Sequence, residues 1–402
     1  MIVTMRGLYT TAVRAYAAGV KAAALFGNGK AQRWVEGRRR FPEAGTAEGP
    51  WVWFHAASLG EFEQGRPLIE ALKANHPQLK VSLTFFSPSG YEIRKDYPLA
   101  DEVLYLPTDT PKHARQWVKR HPFVAAFFIK YEFWFNYMQA LKDNGIPLYY
   151  VSLILKPDQY FFKWYGGWFR KQLGNVSHFF VQDQRTLDLL KGIGYDNATL
   201  CGDTRFDRVA AIARQARPFP EIEAFIHGRK CIIAGSTWPP DERLLIPWLE
   251  RMPNDYCMIL APHDISDKHI RQIRDSLASV SPDKVYVIDT IGILSQLYQY
   301  ARFVYIGGGF GVNIHNIQEP VTFGCPVVFG PKHKSFKEAV DLVAMGGAFP
   351  VTGQEQLHQV FDLLINDENR CQQASKTCRE YLESQLGATD AILQRITSTF
   401  SA

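Results

Sequence analysis

One stretch decides how the second half of the chain folds: residues 303–320, which read FVYIGGGFGVNIHNIQEP. The four apolar residues at its start predict a buried strand of a parallel sheet. Three glycines follow, where the backbone can approach a ligand closely and turn amide N–H groups toward an anion. Asn313, His315, Asn316 and Glu319 come next, at the expected start of a helix. A glycine turn followed by a carboxylate that can take a ribose diol predicts a nucleotide-sugar pocket.

Strands and helices alternate on both sides of this stretch. The predicted strands of the first half are Trp51–Ala57, Val81–Phe86, Val103–Leu106, Phe123–Ile129, Leu148–Leu153, His178–Val181 and Thr199–Cys201. Those of the second half are Lys230–Ala234, Tyr256–Ala261, Lys284–Ile288, Phe303–Ile306 and Pro326–Val328. Repeated strand–helix units imply parallel sheets covered on both faces, and 402 residues are too many for one ordinary core.

The predicted fold class is therefore α/β, with two Rossmann-like parallel-sheet domains facing a central cleft. A proline-rich break in residues 211–228 interrupts the alternation, so we place the linker there. The predicted domains are residues 41–215 and 216–402, after an N-terminal segment of residues 1–40.

The composition is that of a folded protein in a reducing compartment. Hydrophobic residues make up 46% and charged residues 21% of the chain, values that exclude a disordered chain. The six cysteines form no CxxC pair. A disulfide framework or a zinc site is therefore not expected.

Basic residues are concentrated in the N-terminal segment. Residues 1–40 hold eight Lys and Arg against one Glu, more than the whole net charge of +5. Arg14 and Lys21 interrupt the apolar run of this segment, which disfavours a membrane-spanning helix. Arg6, Arg14 and Lys21 lie within about 80° of one another on a helical wheel, and three arginines follow at residues 38–40. We expect a helix that lies on an anionic membrane surface; an ordinary soluble helix is the alternative.

The first predicted strand ends in HAASLGE, residues 55–61, and a helix begins at once. Ser58 and Glu61 have the spacing of a capping box, which is one interpretation. The other is that Glu61 removes a proton from an acceptor hydroxyl, with Ser58 and Gly60 next to the acceptor. A helix N-terminus favours the carboxylate and lowers its basicity. Partial desolvation would have to offset that effect.

A second charged set follows the strand Phe123–Ile129. Glu132 would support the acceptor there and Lys130 would meet an anionic group, whereas a solvent-exposed ion pair is the alternative. Further along, residues 161–171 (FFKWYGGWFRK) mix aromatics with cations that include Lys163. This mixture suits a phosphorylated and acylated acceptor, although a core helix with a basic outer edge has the same pattern.

In the second domain, small or polar residues follow the predicted strands. The candidate donor-binding residues are Ser236, Thr237, Pro262, His263, Gly292, Gly308, Gly309, Asn316, Glu319 and His333. Hydroxyls and amides at helix starts bind phosphate. The chain has no D-x-D triplet and no cluster of His, Cys and carboxylates at metal spacing. No metal is therefore expected, and a donor with a single phosphate, such as a CMP-sugar, is favoured.

Together these motifs resemble the Kdo transferases of lipopolysaccharide synthesis, which move 3-deoxy-D-manno-octulosonic acid (Kdo) from CMP-Kdo to lipid A precursors. The resemblance covers about residues 50–345 and rests on HAASLGE, KYEFW, GDTRFD, GSTWPPDE, DTIGIL, GGGFGVNIHNIQEP and FGPKHKSFKE in that order. It implies a GT-B fold and an inverting transfer that needs neither metal nor cofactor. It further implies that Glu61 is the base, that Glu132 handles the acceptor, and that Asn316 and Glu319 hold the CMP ribose.

The implied partners are CMP-Kdo, a lipid A precursor and the cytoplasmic face of the inner membrane, with no nucleic acid. An isomerase of the same architecture, similar to UDP-N-acetylglucosamine 2-epimerases, is the first alternative. It needs no lipid acceptor, so the basic-aromatic stretch and the N-terminal segment argue against it. A non-catalytic nucleotide-sugar sensor is the second alternative, and the carboxylates at two strand ends argue against that.

Overall fold

The computed structural model describes residues 2–43 and 48–400 and divides into two compact units. The first unit comprises residues 1–207 and 387–402, and the second comprises residues 208–386. Each unit contains one parallel sheet with helices packed against it. The predicted fold class of two parallel-sheet α/β domains is confirmed.

The sheet of the first unit has seven parallel strands. They are β1 Trp51–Ala56, β2 Lys80–Phe85, β3 Glu102–Tyr105, β4 Phe123–Ile129, β5 Leu148–Leu153, β6 His178–Val181 and β7 Ala198–Leu200. Their order in the sheet is β3-β2-β1-β4-β5-β6-β7. The order reverses between β1 and β4, and sheets of this type bind ligands beyond the carboxyl ends of the strands at that reversal.

Aromatic side chains fill the core on both faces of this sheet. Successive residues of a strand point to opposite faces, so Trp53 and Phe54 enter different layers. Trp53 meets Phe128 edge-on, with ring centroids 4.9 Å apart. Phe54 stacks on Phe127 at 4.7 Å in the other layer. These contacts fix the central strands β1 and β4, whose ends carry the motifs HAASLGE and KYEFW.

The helices of the first unit include two at the N-terminus of the chain and others that follow the strands of the sheet. They are α1 Ile2–Leu25, α2 Gly29–Glu36, α3 Leu59–Asn75, α4 Pro88–Arg94, α5 Pro111–Trp117, α6 Phe135–Asp143, α7 Gly167–Leu173 and α8 Gln184–Gly192. α9 (Thr204–Arg214) begins in the first unit and ends in the second. Residues 161–173 do not form a single helix: Tyr160–Phe162 form a short 3₁₀ turn before α7. An added Cβ at Gly166 would lie 2.0 Å from the Tyr160 carbonyl oxygen, so the backbone of Gly166 packs tightly against that of Tyr160.

The N-terminal helix α1 is bound to the body of the first unit. The Tyr9 hydroxyl donates to Asp109 at 2.6 Å, and Arg6 donates to the Asn136 side chain at 3.0 Å. Arg6 therefore does not share a lipid-facing stripe with Arg14 and Lys21, which are both exposed. None of the helices within the described residues is both long enough and apolar enough to cross a bilayer.

The sheet of the second unit has six parallel strands. They are β8 Lys230–Thr237, β9 Tyr256–Pro262, β10 Val285–Val287, β11 Ala301–Ile306, β12 Val327–Phe329 and β13 Ala348–Pro350. The order β10-β9-β8-β11-β12-β13 reverses between β8 and β11. The glycine turn follows β11, so it lies at the position where this type of sheet binds ligands.

The helices of the second unit follow its strands. They are α10 Pro220–Ile226, α11 Pro239–Leu249, α12 Asp267–Ser276, α13 Leu294–Leu297, α14 Gln318–Thr322, α15 Lys337–Met345, α16 Gln354–Asn366 and α17 Glu368–Gln385. The last helix, α18 (Ala388–Phe400), belongs to the first unit.

The division between the units differs from the predicted boundary at residues 215 and 216. The prolines that suggested a linker instead begin α10, where Pro220 occupies the first turn. The return of the chain to the first unit is fixed by Asp207, which accepts hydrogen bonds from the amides of Gly387 and Thr389, both at 2.7 Å. Ile392 and Ile396 of α18 are then buried in the core of that unit.

Candidate functional site

The first candidate site, which we call the carboxylate site, consists of Glu61, Glu132, His55 and Trp134 at the ends of β1 and β4. Glu61 lies in the first turn of α3 and is only 7% exposed. Its Oε2 accepts a hydrogen bond from the Ala57 amide at 2.5 Å. Ser58 is the N-cap residue, but its hydroxyl makes no capping bond among the described residues. The arrangement is therefore not the reciprocal capping box that the spacing allowed.

Glu61 has the protonation behaviour that a general base needs. The pKa of its carboxyl group is raised from 4.5 to about 7, chiefly by burial and in addition by the charge of the neighbouring Glu132. The amides of Ala57 and Ser58 and the charge of Lys130 lower the pKa, but they do not offset the burial. A base with a pKa close to neutral combines a usable ionised fraction with a strong affinity for a proton.

Glu132 is held in place by ring nitrogens. Its Oε2 accepts a hydrogen bond from Trp134 Nε1 at 2.9 Å and lies 3.3 Å from His55 Nε2. The buried His55 ring meets the Thr84 hydroxyl through Nδ1 at 2.9 Å. Trp53 Nε1 donates to the same hydroxyl at 2.8 Å, and that hydroxyl donates to a backbone carbonyl. A chain of hydrogen bonds thus runs from the core to the Glu132 carboxylate.

The remaining residues predicted to meet the acceptor lie near these strand ends or in the aromatic loop. Gly60 is exposed, and an added Cβ there would meet no atom of the described residues within 4 Å. Lys130, the first residue after β4, has a left-handed backbone with φ of 59°. Lys163 is half-buried beside Trp164, whose side chain is 92% exposed. The geometry brings Ser58, Gly60 and Lys130 to the same strand ends as the two carboxylates.

Sequence reasoning missed His55, Trp134 and Arg205 as members of this site. Arg205 forms an ion pair with Asp203 at 2.6 Å. Its charge lowers the pKa of the Tyr131 hydroxyl, whereas the charges of Glu61 and Glu132 raise it. The available signals were the motifs HAASLGE, KYEFW and GDTRFD, each of which contains one of the missed residues.

The second candidate site, which we call the glycine-turn site, lies in the second unit at the ends of β8 and β11. The Gly308 amide donates to Asp241 Oδ2 at 2.9 Å, and the Gly307 amide donates to the Gly235 carbonyl. These two amides are therefore not turned toward a ligand, as the sequence predicted. A Cβ at Gly309 would lie 2.7 Å from the backbone of Gly330. The glycines let protein loops approach one another closely.

Asp241 organises this turn, and sequence reasoning missed it. Its carboxylate is fully buried and accepts from the Trp238 amide at 2.9 Å and the Tyr305 hydroxyl at 2.8 Å. Together with the bond from Gly308, these contacts join α11, β11 and the glycine turn. Three donors around one buried carboxylate satisfy its hydrogen-bonding capacity and hold the turn in a single position.

Of the two hydroxyl residues at the end of β8, the structure leaves only Ser236 partly exposed. Ser236 has a left-handed backbone with φ of 53°. Thr237 is buried, and its hydroxyl donates to Glu242, which also lies 3.0 Å from His269 Nε2. Thr237 therefore supports the site from within, whereas Ser236 remains partly open to solvent.

Three rings form one layer at the ends of β8, β9 and β11. His263 stacks on Trp238 with ring centroids 4.6 Å apart and on His315 at 4.5 Å. Trp238 Nε1 donates to His315 Nε2 at 2.8 Å, and burial lowers the pKa of His315. A neutral His315 accepts that bond, so the layer keeps its geometry at neutral pH.

The other predicted donor residues surround this layer along the same sheet edge. Asn316 donates to Glu319 at 3.2 Å, so the two residues expected to hold a ribose are adjacent. Pro262 ends β9 and is buried, and Gly292 is exposed with φ of 96°. His333 is half-buried beside Phe329.

No group of three or more His, Cys, Asp or Glu side chains in residues 2–43 and 48–400 could hold a metal ion.

Comparison with known proteins shows what the chain resembles in sequence and in fold. Residues 32–208 match the family model described as 3-deoxy-D-manno-octulosonic-acid transferase (kdotransferase). A 3-deoxy-D-manno-octulosonic acid transferase of Rickettsia bellii is 24% identical over 371 residues, covering 87% of this chain and 88% of the relative. The chain is a homologue of the Kdo transferases. The predicted resemblance to the Kdo transferases is confirmed.

Other Kdo transferase relatives come from distant organisms. The Aquifex aeolicus enzyme is 26% identical over 321 residues, covering 76% of this chain and 83% of the relative. A probable mitochondrial enzyme of Arabidopsis thaliana is 24% identical, covering 88% and 86%. The relationship therefore extends over most of the chain.

Solved structures of similar fold include the UDP-GlcNAc 2-epimerase of Neisseria meningitidis. Its TM-score is 0.61 at 15% identity, covering 87% of this Kdo transferase homologue and 100% of the epimerase. A putative epimerase of Listeria monocytogenes has a TM-score of 0.59 at 13% identity, covering 88% and 97%. At such identities the likeness shows the GT-B type fold alone.

Proposed function

We propose that this Kdo transferase homologue moves Kdo from CMP-Kdo to a hydroxyl group of a lipid A precursor, with inversion at the anomeric carbon and without a metal or cofactor. The observation that carries the proposal is the buried Glu61, whose pKa is raised to about 7. It lies at the end of β1, where the strand order of the first unit reverses.

In the proposed reaction Glu61 takes the proton of the attacking acceptor hydroxyl as the new bond to the anomeric carbon forms. The bond from that carbon to the CMP phosphate oxygen breaks, and CMP leaves with the electron pair. Burial keeps Glu61 basic, because the surrounding protein stabilises its charge less than water does. The Ala57 amide holds the carboxylate in one orientation.

Glu132 is proposed to accept a hydrogen bond from a second acceptor hydroxyl group. Its position is supported by the bond from Trp134 and the contact with His55. Its charge also raises the pKa of Glu61. Ser58, Gly60, Lys130 and Lys163 are proposed to surround the rest of the acceptor, with the lysines near anionic groups.

CMP-Kdo is proposed to bind at the glycine-turn site. Asn316 and Glu319 would hold the ribose diol, and Ser236 with Gly292 and Gly309 would approach the phosphate. His263 and His333 lie at the same sheet edge, where they supply ring donors to an anionic sugar. Thr237, Pro262 and Gly308 hold this surface in shape from within.

Attachment to the cytoplasmic face of the inner membrane is part of the proposal. The turn between α1 and α2 exposes Leu25 and Phe26, at 88% and 91%. Lys21 and Lys30 flank these two residues and are exposed. Apolar side chains beside cations suit an interface with anionic lipid.

The experiment that tests the proposal combines the purified protein with generated CMP-Kdo and a tetraacylated lipid A precursor, with the product measured by mass spectrometry. We expect transfer by the native protein and by Glu70→Gln, a control on the exposed side of α3. Glu61→Gln should bind CMP normally and lose transfer by at least about a hundredfold. Full transfer by Glu61→Gln would overturn the assignment of the base, and no transfer by any form would overturn the function.

The epimerase-like alternative is not proposed, because the relatives over most of the chain are Kdo transferases and the likeness to epimerases is one of fold.

A further inference from the structure

A groove of about 410 Å³ lies in the first unit, between α1, α2 and the loop that follows β2. Tyr16, Val20, Ala23, Ala31, Trp34 and Phe86 supply most of its apolar lining. Its volume is within the range of ~300–1,000 Å³ that is usual for small-ligand sites. Nothing in the proposed catalytic chemistry uses this groove.

The groove adjoins the carboxylate site through one pair of rings. Phe86, in the groove wall, stacks on Trp134 with ring centroids 5.0 Å apart. Trp134 in turn donates to Glu132. Only the Trp134 side chain therefore separates Glu132 from the groove wall. A molecule whose hydroxyl group contacts Glu132 could place an apolar part in the groove.

The wall of the groove is rigid. The Arg38 guanidinium lies 4.2 Å from the centre of the Trp34 ring and donates to the carbonyl oxygens of Phe86 and Leu106. Trp34 is 94% buried, so its ring is a fixed part of the apolar lining.

The charge around the groove fits an anionic amphiphile. Lys30 lines the groove, and Lys21 and Arg33 are exposed on the same two helices. The exposed Leu25 and Phe26 lie at the turn between those helices. An apolar lining with cations at its edge complements an acyl chain attached to a phosphorylated headgroup.

We propose that this groove holds one acyl chain of the phosphorylated glycolipid acceptor and so orients its sugar toward Glu132. The inference rests on the proposed function, because it assumes that the acceptor is acylated. It assigns the N-terminal helices a second role beyond attachment: with the β2 loop they form part of the acceptor site.

The first test fills the groove. Ala23→Phe places a ring in the lining, and Ala22→Phe places the same ring on the exposed side of the same helix. We expect Ala23→Phe to raise KM for the tetraacylated acceptor by about tenfold, equivalent to ~1.4 kcal/mol, with kcat and the KM for CMP-Kdo unchanged. Ala22→Phe should match the native protein, and an acceptor stripped of its acyl chains should show no difference among the three. Equal KM values for Ala23→Phe and Ala22→Phe with the tetraacylated acceptor would overturn the proposal.

The second test measures binding without catalysis, so that it is independent of the proposed function. Isothermal titration with dodecyl phosphate should show binding to the native protein and Ala22→Phe, and at least about tenfold weaker binding to Ala23→Phe. If no form transfers Kdo but this pattern holds, the groove remains an acyl-chain site while the proposed function fails. If Ala23→Phe loses dodecyl phosphate but keeps its acceptor KM, the groove takes a membrane lipid and the assignment to the acceptor is wrong.

Thermal unfolding of each variant separates these effects from a loss of fold.

Discussion

Replacing Glu61 with Gln should make the protein more stable at neutral and alkaline pH. The pKa of the Glu61 carboxyl is raised from 4.5 to about 7, chiefly by burial. The folded protein therefore keeps the proton between these pH values while the unfolded chain releases it. The free energy of unfolding contributed by this group is greatest below pH 4.5 and falls as the pH rises to about 7. At about 1.4 kcal/mol per pKa unit, the loss amounts to ~3 kcal/mol.

Glu61→Gln removes this loss because an amide does not ionise, and its carbonyl oxygen can still accept the bond from Ala57. We expect the variant to be more stable than the native protein by ~3 kcal/mol at pH 8, with the advantage shrinking to near zero at pH 4.5. Urea unfolding followed by tryptophan fluorescence at both pH values measures the difference, since most tryptophans lie in the first unit.

A matched control comes from the same helix. Glu70 pairs with Arg66 at 2.7 Å and is partly exposed. Glu70→Gln should change the stability by less than about 1 kcal/mol, as is usual for exposed ion pairs, and by the same amount at pH 5 and pH 8. A stability difference between Glu61→Gln and the native protein that stays constant over this pH range would refute the reasoning, because the burial would then not be acting on the charge.

Four further outcomes are expected. In the native protein, the transfer rate at limiting acceptor concentration should rise tenfold per pH unit and level off near pH 7, as the base loses its proton; a flat profile from pH 5 to 8 would contradict this. Gly60→Ala should raise the thermal midpoint, because alanine favours a helix by about 1 kcal/mol over glycine, and should slow transfer if the acceptor lies against Gly60. Trp134→Phe should raise the acceptor KM several-fold and leave the donor KM unchanged, because the ring is kept and the bond to Glu132 is lost. Asp241→Asn should destabilise the second unit by about 2 kcal/mol and weaken CMP binding measured by calorimetry, because an amide nitrogen cannot accept from Tyr305, Trp238 and Gly308 together.

The strands could be read from the sequence because apolar runs bounded by glycine and polar residues leave few alternatives. The predicted strands Phe123–Ile129, Leu148–Leu153 and His178–Val181 have the same bounds in the structure. The short edge strand β13 was missed because its three residues end on Pro350, and proline argues against a strand. The unit boundary was misplaced because prolines mark a helix start as readily as a linker.

The N-terminal helix shows a limit of a different kind. An apolar face opposite basic residues has the same periodicity whether it covers protein or lipid. In the structure, Tyr9 and Ala17 of α1 turn toward the protein, and Tyr9 is held by the buried Asp109. The partner of α1 is a buried carboxylate 100 residues away in the sequence, which no local pattern in α1 reveals.

The glycine turn shows that a sequence motif does not determine which groups its backbone amides contact. Its glycines predicted free amides, yet the amide of Gly308 donates to the buried carboxylate of Asp241 in α11. Which group an amide meets depends on tertiary contacts, and glycine permits both outcomes. The adjacency of Asn316 and Glu319 was easier to predict, because residues three apart at a helix start are neighbours by local geometry alone.

Both units hold a non-glycine residue in the left-handed region where their strand order reverses. Lys130 follows β4 with φ of 59°, and Ser236 lies at the end of β8 with φ of 53°. Each such residue costs of order 1–3 kcal/mol, and glycine would remove the strain. A sequence selected only for stability would place glycine there, as it does after β11. A lysine and a serine at these two strand ends therefore support the proposal that their side chains meet an anionic acceptor and a phosphate.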